Sequence, residues 1–319
     1  MDRNLALELV RVTEAAALSA ARWMGKGDAI QTDAAAFEAM RQALRSVHIH
    51  ARVSVGRVAL SGDDAFTEGQ DIGSDTAGKL RDIALDPLEC IESVSKGRAN
   101  AMSVVAVNSE NSFLRGSGLY MDKIAVGPDA AGRIDIAATP MENLVNIASA
   151  KRCYVEDLTV AILDRERHRS LIRQVREAGA RIHLIPDGDL ASAVATAIGD
   201  SGVDVLMGVG ASGAAVLAAA ALACVGGDMR CRFAPVQEGD QTKIAAITGN
   251  HPGRGYGLND LVGDGSVMFA ATGITEGDVL KGVHFRKGGA RTHSVVMRRQ
   301  SGTIRFIHAN HSFERKPKY

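Results

Sequence analysis

Short apolar runs alternate with segments of helical periodicity over residues 158–225. Three runs predict strands, of which the first is expected to be buried, and three segments predict helices: 158–163, 181–185 and 203–209 for the strands, and 168–178, 190–198 and 214–225 for the helices. This order is typical of parallel strands, because parallel neighbours need a long crossover that a helix usually supplies. We therefore expect a parallel α/β arrangement in the second half of the chain.

The first half of the chain and its end contain the remaining strand-like runs. Two helices are predicted at 5–24 and 33–47, with Thr32 and Asp33 as the capping signal of the second. Strands are predicted at 51–60, 83–86, 102–107, 120–126, 267–271, 294–299 and 303–308. We place one α/β domain at 1–150 and another at 151–319, whose terminal strands return to the sheet. The basic tail at 313–319 is expected to be solvated.

The charges of the chain balance, since 37 Lys and Arg residues are matched by 37 Asp and Glu residues. This balance argues against nucleic acid or an anionic membrane as the partner, because both attract basic proteins. No apolar run reaches the length of about 18 residues that a membrane span requires, and the first helix lacks the apolar core of a signal peptide. The four cysteines form no CxxC pair, so we expect reduced thiols in a cytoplasmic protein.

One acidic segment, Asp-Ile-Ala-Leu-Asp-Pro-Leu-Glu at 82–89, combines an apolar run with two carboxylates around a proline. Because proline cannot extend a ladder, the strand is expected to end at Asp86. Asp86 and Glu89 then lie on a rigid turn, where carboxylates suit a hard cation such as Mg²⁺. In two-metal phosphatases such cations hold the attacking and leaving oxygens of phosphoryl transfer. The alternative is an ordinary acidic turn without a ligand.

Longer motifs extend through nearly the whole chain. In chain order they are RVTEAAALSAARWMGKGD, TDAAAFEAMR, DIALDPLE, ANAMSVVAV, YMDKIAVGP, LTVAIL, IPDGDLA, DVLMGVG, FAATGITEGD and SGTIRFIH. In these motifs the chain resembles the class II fructose-1,6-bisphosphatases of bacteria, which in some lineages also hydrolyse sedoheptulose-1,7-bisphosphate. The resemblance implies the layered α/β sandwich of the sugar phosphatase superfamily. It also implies metal-assisted hydrolysis of a sugar phosphomonoester with Mg²⁺ or Mn²⁺.

The resemblance further implies roles for particular residues. It places Asp33, Asp86 and Glu89 where the family has its catalytic metal ligands. A second set matches the family's sugar-phosphate pocket: Tyr120, Arg165, Arg167, Asp187, Gly188 and Asp189. Arginines suit a phosphate because each can donate a fork of N–H groups, and carboxylates can accept from sugar hydroxyls. Without the resemblance, Arg165 and Arg167 are typical of an exposed helix start.

The departures from the family pattern lie among the metal ligands. Arg57 stands where the family has a metal-binding glutamate, and Ala214 where it has another glutamate. The pair Cys90-Ile91 replaces a Gly-Thr pair whose hydroxyl positions the attacking water. The metal site therefore loses two carboxylates and a hydroxyl, while the phosphate-binding arginines are kept.

Two functions are compatible with this pattern. The first is a divergent sugar-phosphate phosphatase that uses Mg²⁺ or Mn²⁺ with an altered set of ligands. The second is a protein that binds a phosphorylated sugar without hydrolysing it, or performs other chemistry, and needs no metal. In the second, Arg57 takes the space of the ion and supplies charge and donors to Asp33, Asp86 and Glu89. The alternative is that Arg57 points to solvent from a strand edge and that the carboxylates still bind one weak Mg²⁺. In both cases we expect a homo-oligomer.

Two other patterns have competing interpretations. The segment from Gly208 to Gly213 has the GxGxxG spacing of a dinucleotide-binding loop between a strand and a helix. No acidic strand end follows about 20 residues later to bind a ribose, so a phosphate at the helix start is the better interpretation. Cys90 adjoins Glu89 and is a candidate nucleophile, but a small buried thiol is the more ordinary role.

Overall fold

The structure is a computed structural model that describes residues 4–75, 77–116, 118–249, 251 and 253–314. The helices within these residues are α1 (Leu5–Ala21), α2 (Ala29–Leu44), α3 (Ile91–Ser95), α4 (Pro140–Lys151), α5 (Arg169–Glu177), α6 (Asp189–Ala195), α7 (Ser212–Val225), α8 (Asp240–Thr248) and α9 (Leu258–Val262). The strands are β1 (Ala51–Val55), β2 (Asp71–Ile72), β3 (Arg81–Glu89), β4 (Met102–Ser109), β5 (Tyr120–Val126), β6 (Thr159–Leu163), β7 (Arg181–Ile185), β8 (Val205–Ala211), β9 (Asp228–Ala234), β10 (Met268–Gly273), β11 (His284–Arg286), β12 (Gly289–Arg298) and β13 (Thr303–Ser312). From residue 315 onward, the basic tail lies outside the described residues.

The chain divides into two compact units, Met1–Arg115 with Gly265–Tyr319 and Gly116–Asp264. The first unit contains an eight-stranded sheet in the order β11-β12-β10-β4-β3-β1-β2, with β13 paired to β12. The helices α1 and α2 bury large apolar side chains in the core of this unit, among them Leu9, Phe37 and Met40. The terminal strands β10 to β13 thus belong to the same sheet as β1 to β4.

The second helix begins earlier than the sequence predicted. It starts at Ala29 with Asp28 as its N-cap, since Oδ1 of Asp28 accepts from the Gln31 N–H at 3.0 Å. Thr32 and Asp33 lie inside the helix and are fully buried, so the prediction that they cap it was wrong. The Thr32 hydroxyl instead donates to the carbonyl of Asp28. Asp33 is therefore held on a helix and not on a loop.

The acidic segment does not end its strand at the proline. Strand β3 continues through Pro87 to Glu89, and its pairing with β4 is irregular between Asp86 and Glu89. On its other side β3 pairs with β1 as far as Ala84. Pro87 therefore lies where the pairing with β4 is interrupted and the pairing with β1 has ended. Its missing N–H consequently removes no ladder hydrogen bond from either pairing. The prediction that the strand stops at Asp86 was wrong.

The second unit contains a five-stranded sheet in the order β7-β6-β8-β5-β9. Strand β6 runs parallel to β7 and to β8, which confirms the parallel arrangement predicted for this part of the chain. Strand β5 runs antiparallel to β8 and β9, so the sheet as a whole is mixed. Because its partners come later in the chain, β5 belongs to this unit, although the predicted division at residue 150 grouped it with the first domain.

Both units combine a sheet with helices, and this confirms the α/β class expected of the phosphatase sandwich. None of the described helices has the length and apolar character needed to cross a bilayer.

Candidate functional site

The guanidinium of Arg57 lies among acidic and carbonyl oxygens in the first unit. Its Nε donates to Asp86 Oδ1 at 2.9 Å, and Nη1 and Nη2 donate to the two carboxylate oxygens of Asp33 at 3.0 and 2.6 Å. The remaining hydrogens reach the carbonyls of Leu88 at 3.0 Å and Val58 at 3.5 Å. All five N–H groups of the guanidinium therefore have an acceptor. No donor is left for a phosphate, so Arg57 is not a phosphate-binding arginine.

Asp33 and Asp86 reach Arg57 from different elements. Asp33 projects from α2, is fully buried, and also accepts from the Leu60 N–H at 2.8 Å. Asp86 lies on β3 just before the irregular pairing, and its side chain is 22% exposed. Asp33 therefore accepts three hydrogen bonds and has a cation beside it, so its buried oxygens are satisfied. We call Asp33, Arg57 and Asp86 the carboxylate–arginine cluster.

The charge of Arg57 is strongly favoured in this cluster. Burial lowers the pKa of the guanidinium, but the nearby charges of Asp86 and Asp33 outweigh this effect, so the pKa lies above its ordinary value. With only 25% of its side chain exposed, Arg57 does not point to solvent as the alternative interpretation required. Its removal would leave Asp33 as an unpaired buried charge, at a cost of about 3–5 kcal/mol.

The cluster does not fit a divalent metal ion in the observed arrangement. Both oxygens of Asp33 and one oxygen of Asp86 accept from Arg57. Within the described residues, no group of three or more His, Cys, Asp or Glu side chains is arranged to hold a metal. A hard cation needs several oxygen ligands, and here it would also be repelled by the guanidinium.

Glu89 and the residues after it lie at the end of β3 and the start of α3. Glu89 is buried, and its Oε2 accepts from the Cys90 thiol at 2.6 Å. Cys90 has a φ of 66° at the N-cap of α3, a left-handed conformation that favours the glycine which the resemblance places there. Ile91 begins α3, and Ala214 lies in the first turn of α7. Because both side chains are hydrocarbons, neither offers a carboxylate ligand or a hydroxyl.

Residues of the predicted sugar-phosphate pocket meet at the end of β8 in the second unit. Tyr120 lies opposite Ala211 in the pairing of β5 with β8. Arg167 donates from Nε and Nη2 to the Val209 carbonyl at 3.2 and 2.8 Å, and its guanidinium lies 5.6 Å from the centre of the Tyr120 ring. Nη1 of Arg167 donates to no described residue. One edge of the guanidinium is therefore available to an anion.

A buried ion pair at the same strand end was missed by the sequence reasoning. Lys123 Nζ donates to Asp189 Oδ2 at 2.5 Å and to the Ala211 carbonyl at 3.0 Å. Both side chains are buried, and a Cβ at Gly210 would collide with them. A lysine with apolar neighbours on the same face of a strand needs an acidic partner. That pattern around Lys123 was the available signal.

The other predicted pocket residues are held less closely. Gly188 has a φ of 87° at the start of α6, a left-handed conformation that suits glycine. Asp187 accepts from the Gly188 N–H at 3.1 Å, and the exposed Arg165 donates to the Asp164 carbonyl at 3.0 Å. Because Oδ2 of Asp189 is bound to a lysine, a single oxygen of that carboxylate is left for a sugar hydroxyl.

His168 fixes the segment that carries Arg167. Its Nδ1 lies 2.7 Å from the Leu163 carbonyl and must carry a hydrogen, while Nε2 accepts from the Val209 N–H at 2.8 Å. The imidazole is therefore neutral, and burial lowers its pKa. Gly208 has a φ of 127°, and a Cβ there would lie 3.0 Å from the His168 ring. The glycine at position 208 is thereby explained without a nucleotide.

Acidification is expected to destabilise the second unit through His168. The fold disfavours the imidazolium, so the unfolded state binds the proton more readily and stability is lost as the pH falls below about 6.5. One proton changes the free energy of unfolding by at most about 1.4 kcal/mol per pH unit. Urea unfolding of His168→Gln between about pH 8 and pH 5 should show a shallower pH dependence than the wild type. Equal slopes would contradict this role of the imidazole.

A cavity of about 350 Å³ adjoins Arg167 in the second unit. Apolar side chains and five charged ones line it, the charged ones being Asp122, Lys123, Asp135, Arg167 and Arg232. Asp122 accepts from Arg232 at 2.9 Å, so that this arginine is already paired. The volume lies at the lower end of the range of about 300–1,000 Å³ that is typical of small-molecule sites. Space for a small ligand therefore lies beside the arginine with a free donor.

The chain is similar to known proteins over almost its full length. The family model for bacterial fructose-1,6-bisphosphatase, glpX-encoded, matches residues 3–311. Relatives from Synechococcus sp. strains JA-2-3B'a(2-13) and JA-3-3Ab are each 37% identical, over 98% of this chain and 96% of their own. One from Microcystis aeruginosa is 34% identical, over 100% of this chain and 99% of its own. All three are named D-fructose 1,6-bisphosphatase class 2/sedoheptulose 1,7-bisphosphatase.

Proposed function

We propose that this chain, which belongs to the family of bacterial, glpX-encoded fructose-1,6-bisphosphatases, binds a phosphorylated sugar without hydrolysing it at an ordinary enzymatic rate. The observation that carries the proposal is the complete engagement of Arg57 by Asp33, Asp86 and two carbonyls. The compounds in the names of its relatives, fructose 1,6-bisphosphate and sedoheptulose 1,7-bisphosphate, are the first candidate ligands. A cytoplasmic location and a homo-oligomeric state are part of the proposal.

Binding is supported by the arrangement at the end of β8. Arg167 offers a free Nη1 and stands against the ring of Tyr120. A guanidinium that is held by a carbonyl and an aromatic ring is already oriented, so less side-chain entropy is lost when a phosphate binds. One oxygen of Asp189 is an available acceptor for a sugar hydroxyl.

Loss of hydrolysis is supported by the carboxylate–arginine cluster. Metal-assisted hydrolysis requires a cation that activates and orients a water molecule. In this chain a guanidinium takes the carboxylate oxygens that such a cation would need. The loss of the hydroxyl at Ile91 and of a carboxylate at Ala214 points in the same direction. Since an arginine does not lower the pKa of a bound water as a metal does, Arg57 cannot replace that part of the chemistry.

The second candidate is a metal-dependent phosphatase in which Arg57 leaves the cluster when Mg²⁺ or Mn²⁺ binds. It is favoured by the retention of Asp33, Asp86 and Glu89, and by the names of relatives that match nearly the whole chain. The two candidates differ in whether added metal binds the wild-type protein and whether phosphate is released.

Replacing Arg167 with alanine is expected to weaken sugar-phosphate binding more than tenfold. A charge-assisted hydrogen bond to phosphate contributes about 1.5–3 kcal/mol, and about 1.4 kcal/mol corresponds to a factor of ten in affinity. Isothermal titration calorimetry with fructose 1,6-bisphosphate and sedoheptulose 1,7-bisphosphate measures the effect. Arg173→Ala is the matched control, because Arg173 is an exposed arginine of α5 and its loss changes the net charge equally.

The control variant should bind both ligands with the affinity of the wild type. If Arg167→Ala also binds unchanged, the assignment of the pocket to the end of β8 is wrong. If neither ligand binds the wild-type protein, the proposed ligand class must be abandoned.

A further inference from the structure

We infer that Phe37, Phe66 and Arg41 are positioning residues that hold Arg57 between Asp33 and Asp86. This inference rests on the proposed function, in which Arg57 takes the place of a cation. It concerns how the guanidinium is kept there, which the ion pairs alone do not explain. A long arginine side chain has many rotamers, and a free one could leave the cluster whenever a metal ion competes for the carboxylates.

Four side chains form a continuous stack beside the cluster. The Arg57 guanidinium lies 4.8 Å from the centre of the Phe37 ring, and Phe37 stacks on Phe66 with ring centres 5.4 Å apart and planes 22° apart. The Arg41 guanidinium covers the other end, 4.7 Å from the centre of the Phe66 ring. We call this series Arg57–Phe37–Phe66–Arg41 the arginine–phenylalanine stack. Each ring thus meets one cation and one ring.

The stack is built from one helix face and one loop. Asp33, Phe37 and Arg41 are spaced four residues apart on α2, so they lie along the same side of that helix. Arg57 and Phe66 come from the two ends of the loop that follows β1, and they alternate with the helix residues in the stack. The side of α2 that carries Asp33, which binds the guanidinium, therefore also carries Phe37, whose ring stacks against the guanidinium.

The loop is tied down at its far end as well. Arg41 donates from Nε to Asp64 Oδ2 at 3.0 Å and from Nη2 to the other oxygen of Asp64, so the pair is bidentate. The Phe66 N–H donates to the Arg57 carbonyl at 3.0 Å, which closes the loop. A Cβ at Gly56 would collide with the Phe66 carbonyl, so this close approach depends on glycine. Asp64 is thereby used in holding the loop.

The stack is expected to affect metal binding by changing the fraction of molecules in which Arg57 has left the carboxylates, a state that we call the open cluster. A metal can use Asp33 and Asp86 only in the fraction of molecules in which Arg57 has moved away, so its apparent affinity is reduced by that fraction. Because each cation–π contact favours the closed position, weakening the stack enlarges the open fraction. Phe37, which touches the guanidinium and is fully buried, should have the strongest influence.

The test is Phe37→Leu in the full chain, with thermal stability measured at increasing Mn²⁺. Loss of one ring contact should raise the apparent affinity for Mn²⁺ about tenfold, so that the melting temperature rises with Mn²⁺ where the wild type shows no change. Phe269→Leu is the matched control, because Phe269 is a fully buried phenylalanine of β10 outside the stack. It should lower stability without creating a response to Mn²⁺.

Arg57→Glu in the same experiment separates the inference from the proposed function. If Arg57→Glu responds to Mn²⁺ and Phe37→Leu does not, the positioning role is wrong while the proposed function stands. If neither variant responds, the inference is overturned, whereas the proposed function is judged separately by sugar-phosphate binding and phosphate release. A response of Phe269→Leu equal to that of Phe37→Leu would also overturn the positioning role. Should Phe37→Leu not fold, Arg41→Gln removes the outer cation of the stack and is judged by the same outcomes.

Discussion

Arg57→Glu is expected to be strongly destabilised without metal and to regain stability when Mn²⁺ is added. The substitution removes the cation that neutralises Asp33 and Asp86, and it adds a third carboxylate beside them. Breaking a buried ion pair from one side costs about 3–5 kcal/mol, and repulsion among the carboxylates adds to this. A divalent cation can then bind between these oxygens, as hard cations prefer.

The size of the rescue follows from mass action. At a Mn²⁺ concentration about 100 times the dissociation constant, binding to the native state adds about 2.7 kcal/mol, or roughly 4 °C in melting temperature for a chain of this size. Differential scanning calorimetry with and without Mn²⁺ measures both parts of the prediction. Arg52→Glu is a suitable control, because Arg52 lies on β1, the strand that precedes the loop of Arg57, pairs with Asp71, and is 38% exposed. If Arg57→Glu is no less stable than Arg52→Glu and ignores Mn²⁺, Arg57 has no neutralising role.

Hydrolysis of fructose 1,6-bisphosphate by the wild-type protein is expected to be at least about a thousandfold slower than the ordinary enzyme range of 1–10³ s⁻¹. The carboxylate oxygens are bound to Arg57, and Ile91 supplies no hydroxyl to orient a water. Loss of the activation of the attacking water and loss of its orientation each lower the rate of hydrolysis by a factor of about a hundred or more. Phosphate release with Mg²⁺ and with Mn²⁺, over a panel of sugar mono- and bisphosphates, measures the rate.

The triple variant Arg57→Glu, Ile91→Thr, Ala214→Glu is the natural comparison, since it restores the residue types that the family resemblance places at these positions. It should release phosphate in a metal-dependent manner and faster than the wild type. Turnover by the wild type within the ordinary range would favour the second candidate function, in which Arg57 leaves the cluster.

The sequence predicted those parts of the molecule that depend on local pattern. The alternation of strands and helices after residue 158 predicted β6, β7 and β8 and the parallel pairing of β6 with both neighbours. The central strand β6 is almost wholly buried, and burial on both faces makes such a strand continuously apolar. The departure from the family motifs at Arg57 predicted a guanidinium in the place of a metal ion beside Asp33 and Asp86. The structure places its guanidinium between those two carboxylates.

Features that depend on distant partners could not be predicted in the same way. Pro87 remains within β3 because the neighbouring ladder has ended and the other is irregular, which no local rule reveals. The partner of Lys123 is Asp189, 66 residues away. The stacking of Phe37 on Phe66 depends on the path of the loop that follows β1. The composition of that loop predicts only that the chain turns there. In each case the position was visible in the sequence, but the contact was not.

Titration of the wild-type protein with Mn²⁺ by isothermal calorimetry tests the central claim most directly, because it asks whether the carboxylates are available to a metal at all. With Arg57 engaged by Asp33 and Asp86, we expect no saturable heat at millimolar Mn²⁺, whereas Arg57→Glu should show a saturable site under the same conditions. Micromolar binding of Mn²⁺ to the wild type that is abolished by Asp86→Asn would contradict the account, because it would mean that the guanidinium yields its place to the ion.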